Sequence, residues 1–222
     1  MTIAVVIPAL DEAATIESVV ASATGPEVEV VVVDGGSQDG TRDRAIAAGA
    51  RILKAQRGRA RQLQVGFEST ESDVVLFLHA DTRLPDRWGR SVRAALDDPA
   101  VVGGAFRLKF DEPGLRVRLV EWLARGRIAL LRFPFGDQAL FVRRSVLAEI
   151  GGIADVPVME DVDLVHAMKQ HGRLALLSET ATTSARRYLE NGVLRVSVMH
   201  FFAFLGWRLN VDRAALAGWL RR

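Results

Sequence analysis

The 222-residue chain contains no cysteine, which removes disulfide frameworks, thiolate metal sites and cysteine nucleophiles and suits a cytoplasmic protein. It also lacks an excess of either charge. With 29 Lys plus Arg against 27 Asp plus Glu, the formal charge of +2 is too small to imply a nucleic-acid partner by bulk electrostatics. The longest apolar run, around residues 201–207, falls well short of the ~18–20 residues that span a bilayer, so no transmembrane helix is expected. The opening MTIAVVIPAL has neither the basic start nor the extended apolar core of a signal peptide and reads as a first strand. Repeats, low-complexity segments and Gly/Ser-rich linkers are missing as well. What remains is 49% apolar and 25% charged, the balance of an ordinary globular chain. A single domain over 1–222 is expected, with 191–222 a C-terminal helical segment.

The first hundred residues alternate two kinds of segment. IAVVIP (3–8), VEVVVVD (28–34), ARILKA (50–55) and DVVLFLH (73–79) are short, β-branched runs of the type buried on both faces of a parallel sheet. Helical stretches are predicted between them, over 12–22, 40–48 and 58–69. Strand and helix in alternation predict an α/β sheet with right-handed crossovers. After residue 98 the rhythm loosens. VVGGAFRLKF (101–110) alternates like a strand with one wet face, and DQALFVRR (137–144) is a second strand candidate. Helices are predicted over 114–130 and 161–171, and the tail reads as two helices broken near Asn210.

In an open parallel sheet, ligands sit beyond the carboxyl ends of the strands. Three strands end there in polar residues: 8–12, 34–40 and 79–82. DGGSQDGT (34–41) joins strand to helix with paired glycines, which lets a ligand approach the backbone and leaves helix N–H groups open to an anion. It is neither a Walker A loop nor a G-x-G-x-x-G fingerprint. Asp39 reads as a helix cap; Asp34, at the strand tip, reads as a ligand contact. Capping explains Asp81 poorly, because the next segment begins only at Pro85. A carboxylate among phosphate oxygens is instead enough to hold Mg²⁺.

Taken together, VVIPALDEAATI, VVVDGGSQDGT, GRARQLQVG (58–66), LFLHADT, GDQALFVRR (136–144) and MEDVDL (159–164) stand in the order of a known group. Over residues 3–187 the chain resembles family 2 glycosyltransferases of the GT-A fold, a Rossmann-like, mostly parallel sheet flanked by helices. The resemblance implies that Pro8, Ala9, Glu12, Asp34 and Gly35 surround the nucleobase of a donor, UDP-linked by expectation. It implies that Ala80 and Asp81 meet the diphosphate, with Asp81 the ligand of Mg²⁺ or Mn²⁺. His79 stands where the commoner D-x-D motif has its first acid.

The same resemblance makes Glu160 and Asp161 the acceptor-side acids, with Asp161 as general base for an inverting displacement, a role that demands a carboxylate facing the acceptor hydroxyl. Considered alone, these acids would equally stabilise the first turn of any helix. Asp137 and Gln138 fall beside the acceptor. Arg57, Arg59 and Arg61 offer guanidinium forks for the diphosphate, against a solvated basic face as the plain alternative. Arg186 and Arg187 stand where related enzymes carry a basic segment that closes over the donor. The nearly all-apolar stretch 193–207 suits a membrane interface, a buried helix or a homodimer contact. The first of these would fit a lipid-like acceptor at the inner face of the membrane.

Three other readings compete. Nucleotidyltransferases share the architecture but open on a glycine-rich loop followed by Arg and Lys, which IPALDEAATI lacks. A retaining glycosyltransferase of similar fold, such as one acting on phosphoglycerate, has similar opening motifs. A non-catalytic, membrane-docked nucleotide-binding scaffold is the third.

Overall fold

The computed structural model describes residues 1–220; residues 221–222, and the side chains of Arg187 and of several residues within 115–131, lie outside the described residues. Four short strands and three helices alternate first: β1 (Ile3–Ala9), α1 (Ile16–Ala23), β2 (Val28–Asp34), α2 (Thr41–Ala47), β3 (Arg51–Lys54), α3 (Arg59–Glu68) and β4 (Val74–Phe77). β1 and β4 carry Val, Ile, Leu and Phe on both faces and are almost wholly buried, as strands covered on both sides must be. β1 pairs in parallel with β2 and β4, and β2 with β3. The chain thus runs outward from β1 through β2 to β3 and then returns to its other side. That reversal opens a crevice between the ends of β1 and β4.

The second half extends the same sheet with mixed pairings. A two-residue β5 (Thr82–Arg83) and α4 (Trp88–Leu96) lead to β6 (Val101–Phe110) and α5 (Leu115–Leu131). A single 3₁₀ turn, Gly136–Gln138, precedes β7 (Leu140–Arg143) and α6 (Arg144–Glu149). Then follow α7 (Glu160–His171), β8 (Arg173–Thr183), α8 (Arg186–Asn191), α9 (Val193–Arg208) and α10 (Arg213–Leu220). Among the described residues these strands form one eight-stranded sheet, ordered β3-β2-β1-β4-β7-β6-β8-β5. β7 lies antiparallel between β4 and β6, while β6 and β8 run parallel.

The expected α/β sheet with C-terminal helices is therefore present, with corrections of detail. His79 lies beyond β4, not in it. β6 is buried on both faces over its first six residues and alternates only toward its end. The 3₁₀ turn occupies the start of the strand expected at 137–144. α4, α6, α8 and the long β8 were not expected. The break at Asn210, where φ is +55°, divides α9 from α10 as predicted.

Candidate functional site

Two loops at the carboxyl edge of β1 and β2 interlock. Asp11, held at φ +55°, donates its N–H to Ser37 Oγ at 2.9 Å and accepts from Gln38 N–H at 2.9 Å. Glu12 N–H donates to Thr41 Oγ1. Asp39 accepts from Ala13 N–H and from both the N–H and hydroxyl of Thr41, and the Thr41 hydroxyl, with these N–H groups, keeps its carboxyl below the usual range. It therefore braces the start of α2 and also ties the two loops together.

Beneath them lies Gln62 of α3, 5% exposed, whose amide donates to the carbonyls of Ala9 (2.9 Å) and Val33 (2.7 Å). A Cβ on Gly35 would sit 3.2 Å from that amide, so a side chain there would crowd Gln62.

This arrangement corrects part of the expected donor site. Ala9 is buried, and its carbonyl is taken by Gly35 N–H and Gln62. Asp34 is 1% exposed and accepts from the N–H groups of Gly36 and Ser37 at 3.1–3.2 Å. Its carboxylate closes its own turn, the usual habit of Asp after a strand, so it braces the loop from within. Pro8 and Glu12 remain accessible at the crevice.

The end of β4 crosses to this edge through Thr15, whose hydroxyl donates to the Ala80 carbonyl at 2.8 Å and to Glu12 at 3.3 Å. Ala80 is therefore buried scaffolding at this point. Asp81 is half-buried and faces a cleft of about 360 Å³ that also receives Arg59, His79, Asp137 and Asp161. Burial raises the Asp81 carboxyl, with Asp111 adding to it; burial likewise raises Glu12, with Asp81 adding to it. Arg186, 3.7 Å from Glu12, moderates both. A site that strains to keep negative charge suits a cation. Among the described residues no group of three or more His, Asp and Glu side chains is arranged to hold a metal; one carboxylate together with phosphate oxygens is enough to hold Mg²⁺.

Across the cleft, Gly58 at φ +145° turns the chain into α3 and delivers Arg59. Met159, at φ +68°, does the same for Glu160 and Asp161 at the start of α7. Positive φ at a non-glycine costs about 1–3 kcal/mol and tends to be kept at sites. Arg59 forms a close ion pair with Glu160, which is 4% exposed, and lies 3.4 Å from Asp161. It also donates to His79 Nε2 at 3.0 Å, so that nitrogen carries no proton. Burial and the Arg59 charge together pull the His79 pKa down to about 3, and the ring is neutral at physiological pH. Asp161 accepts from Gly136 N–H at 2.7 Å. Burial pushes its carboxyl up, but Arg59, Gly136 N–H and His79 outweigh this and hold it below its ordinary 3.8. A side chain at 136 would lie 3.0 Å from the Asp161 carboxylate and 3.2 Å from His79.

Other expectations fall elsewhere. Arg61 is exposed and bonds Asp155 and Gln56, and Arg57 is exposed outside the cleft; neither joins the site. Gln138 is 0% exposed and bonds Phe135 N–H and the Phe106 carbonyl, so it holds the 3₁₀ turn instead of meeting an acceptor. Asp137 does line the cleft. The Arg187 side chain lies outside the described residues. Thr15 and Gln62 were missed. The cleft's outer wall was also missed: Phe110, Tyr188 and His200, with Tyr188 stacked edge-on against both neighbours. Neighbouring periodicity could have flagged Gln62, a polar residue on the otherwise buried face of α3.

A family model described as Glycosyl transferase family 2 matches residues 4–151. Glucosyl-3-phosphoglycerate synthase of Mycobacterium tuberculosis is 40% identical over a stretch covering 36% of this chain and 29% of that protein. Undecaprenyl-phosphate 4-deoxy-4-formamido-L-arabinose transferase of Aeromonas hydrophila is 31% identical over 49% of this chain and 38% of its own. The matches thus span well under half the length of these relatives. The crystal structure of the M. tuberculosis synthase with Mg²⁺ and UDP superposes with a TM-score of 0.66 over 95% of this chain and 80% of that one, at 23% identity. That likeness shows the fold. A further crystal structure, of a mycobacterial protein, gives a TM-score of 0.56 at 26% identity over 82% of this chain and 65% of that one.

Proposed function

The chain belongs to glycosyl transferase family 2, and from that premise we propose that it is a metal-dependent, inverting enzyme moving a sugar from a UDP-linked donor to a hydroxyl acceptor. The observation that carries the reading is one cleft with Asp81 on its donor edge and Asp161, Asp137 and Arg59 on its other wall. Pro8 and Glu12 border the nucleotide. Asp81 would hold Mg²⁺ or Mn²⁺, which when bound neutralises charge on the departing diphosphate. The M. tuberculosis relative was crystallised with Mg²⁺ and UDP, which supports both choices.

Asp161 takes the proton of the acceptor hydroxyl as the oxygen attacks the sugar carbon from the face opposite the diphosphate. Gly136 N–H and Arg59 keep the carboxylate ionised and oriented. Neutral His79 and the guanidinium of Arg59 fill the space between the two carboxylates' loops without adding an acid.

Calorimetric titration of UDP with and without Mn²⁺ tests the donor site. Binding should require the metal and vanish in Asp81→Ala; binding that is absent under all conditions refutes the assignment. The retaining course is a second reading, favoured by one observation: Asp161 is held below its ordinary pKa and is thereby a weaker base. The anomeric configuration of the product separates the two.

We further propose peripheral contact with an anionic membrane. Leu194, Trp122 and Phe201 are 78%, 66% and 62% exposed, and residues 111–132 and 186–222 carry 12 Lys plus Arg against 5 acids, leaving 17 against 22 in the rest. No helix among the described residues is long and apolar enough to cross a membrane; the exposed apolar side chains and the net positive charge of these two stretches favour a helix lying on one.

A further inference from the structure

Between α5 and α9 lies a second cavity of about 280 Å³. Leu108, Val120, Leu123, Phe201 and Phe204 make its wall apolar. It shares Phe135, Asp137, Tyr188 and His200 with the reaction cleft, so the two spaces meet beside an acceptor-side carboxylate. At its other end Leu123 and Phe201 are 49% and 62% exposed. An apolar passage therefore leads from the exposed face of the helices to the reacting groups.

The wall also holds one polar oddity. Ser197 Oγ is buried without a hydrogen-bond partner among the described residues. With the cleft beside it, the combined space falls within the roughly 300–1,000 Å³ of small-molecule sites, which are mostly apolar with a few placed polar groups.

We propose that the α5–α9 cavity receives the apolar chain of the acceptor. The acceptor is then an amphiphile: its chain lies between the helices and its hydroxyl reaches past Tyr188 and His200 to Asp137 and Asp161. The inference rests on the glycosyltransfer reading for the fate of that hydroxyl, but the chain site itself does not need turnover to be seen. The net positive charge of 111–132 and 186–222 favours chains drawn from an anionic lipid surface.

The test uses two fluorescent probes with the same reporter, dansylaminoundecanoic acid and dansylglycine, on the full chain. The long probe should bind with enhanced emission and the short one should not. Ser197→Trp, which fills the cavity, should weaken the long probe by at least about tenfold, with metal-dependent UDP binding unchanged. Should that variant fail to fold, Leu123→Glu places a charge at the exposed mouth and should give the same loss. Equal responses to both probes, or undiminished affinity in both variants, overturn the proposal. If the long probe binds as expected while UDP never does, the chain site stands and the glycosyltransfer reading falls.

Discussion

Replacing Arg59 by Met removes the cation that meets Glu160, Asp161 and His79 together. Glu160 is 4% exposed and cannot regain solvent without opening the start of α7. Breaking a fully buried ion pair by deleting one partner costs about 3–5 kcal/mol. The Arg59 side chain is 38% exposed, so water already screens part of the pair, and the expected loss is about 2–3 kcal/mol. For a chain of this size that is a fall in Tm of about 5–10 °C. Urea unfolding of the wild type, Arg59→Met, Glu160→Met and the double variant would measure it as a cycle. The double variant should recover part of the loss, because Glu160 is no longer a buried charge without a partner, while Asp161 still lacks its guanidinium. An Arg59→Met protein as stable as the wild type, or a double variant no better than the single, would refute the reasoning.

The same variant should move Asp161. With Arg59 gone, burial is opposed by Gly136 N–H, His79 and Val162 N–H without the guanidinium, so the carboxyl pKa rises. In the wild type the folded pKa lies below the ordinary 3.8, so the stability contributed by the ionised form is present above that value and lost only as pH falls through the lower one. Arg59→Met should bring that acid limb to higher pH.

Three further outcomes follow from the geometry. Asp161→Asn should lower transfer by about 10²–10⁴-fold yet leave UDP titrations unchanged; normal turnover would remove the base assignment. Gln62→Leu should destabilise by about 2 kcal/mol, since buried carbonyls lose a donor, and amide exchange at residues 35–40 should quicken while that of β6 does not. Phe201→Asp with Phe202→Asp should abolish flotation with phosphatidylglycerol vesicles; unchanged flotation, or a monomer appearing in place of a dimer, would assign that face to something other than lipid.

The polar edge beyond β2 and β4 was legible because strand ends and turn residues are local signals: 34–41 and 79–82 emerge where the pattern of β-branched residues stops. Side-chain direction was not. Arg57, Arg59 and Arg61 look equivalent in a row, yet Arg57 precedes α3, Arg59 and Arg61 are two apart on it and do not share a face, and of the three only Arg59 enters the cleft. Asp34 and Gln138 were chosen for their position beside the site, but both spend their hydrogen bonds on backbone, a distinction that depends on burial in three dimensions. β8 escaped notice because RLALLSETATT is half-buried and polar at its end, and its identity as a strand comes from pairing with β6, about seventy residues earlier. The aromatic wall of Phe110, Tyr188 and His200 is assembled from three separate elements and carries no linear motif.

The pairing of Arg59 with Glu160 has a meaning for how such a protein can diversify. The family pattern ends at residue 151, before Asp161, so the cleft that holds Asp81, Asp137 and Asp161 is built from stretches on both sides of that limit. Arg59 reaches across that seam, and Gln64 does so too, accepting from Ile153 N–H at 2.7 Å. A chimera that grafts a new C-terminal segment onto this N-terminal part must therefore keep the β6–β8 pairing and a partner for Gln64, and it must also bring an acid for Arg59, or inherit an unbalanced charge at the junction.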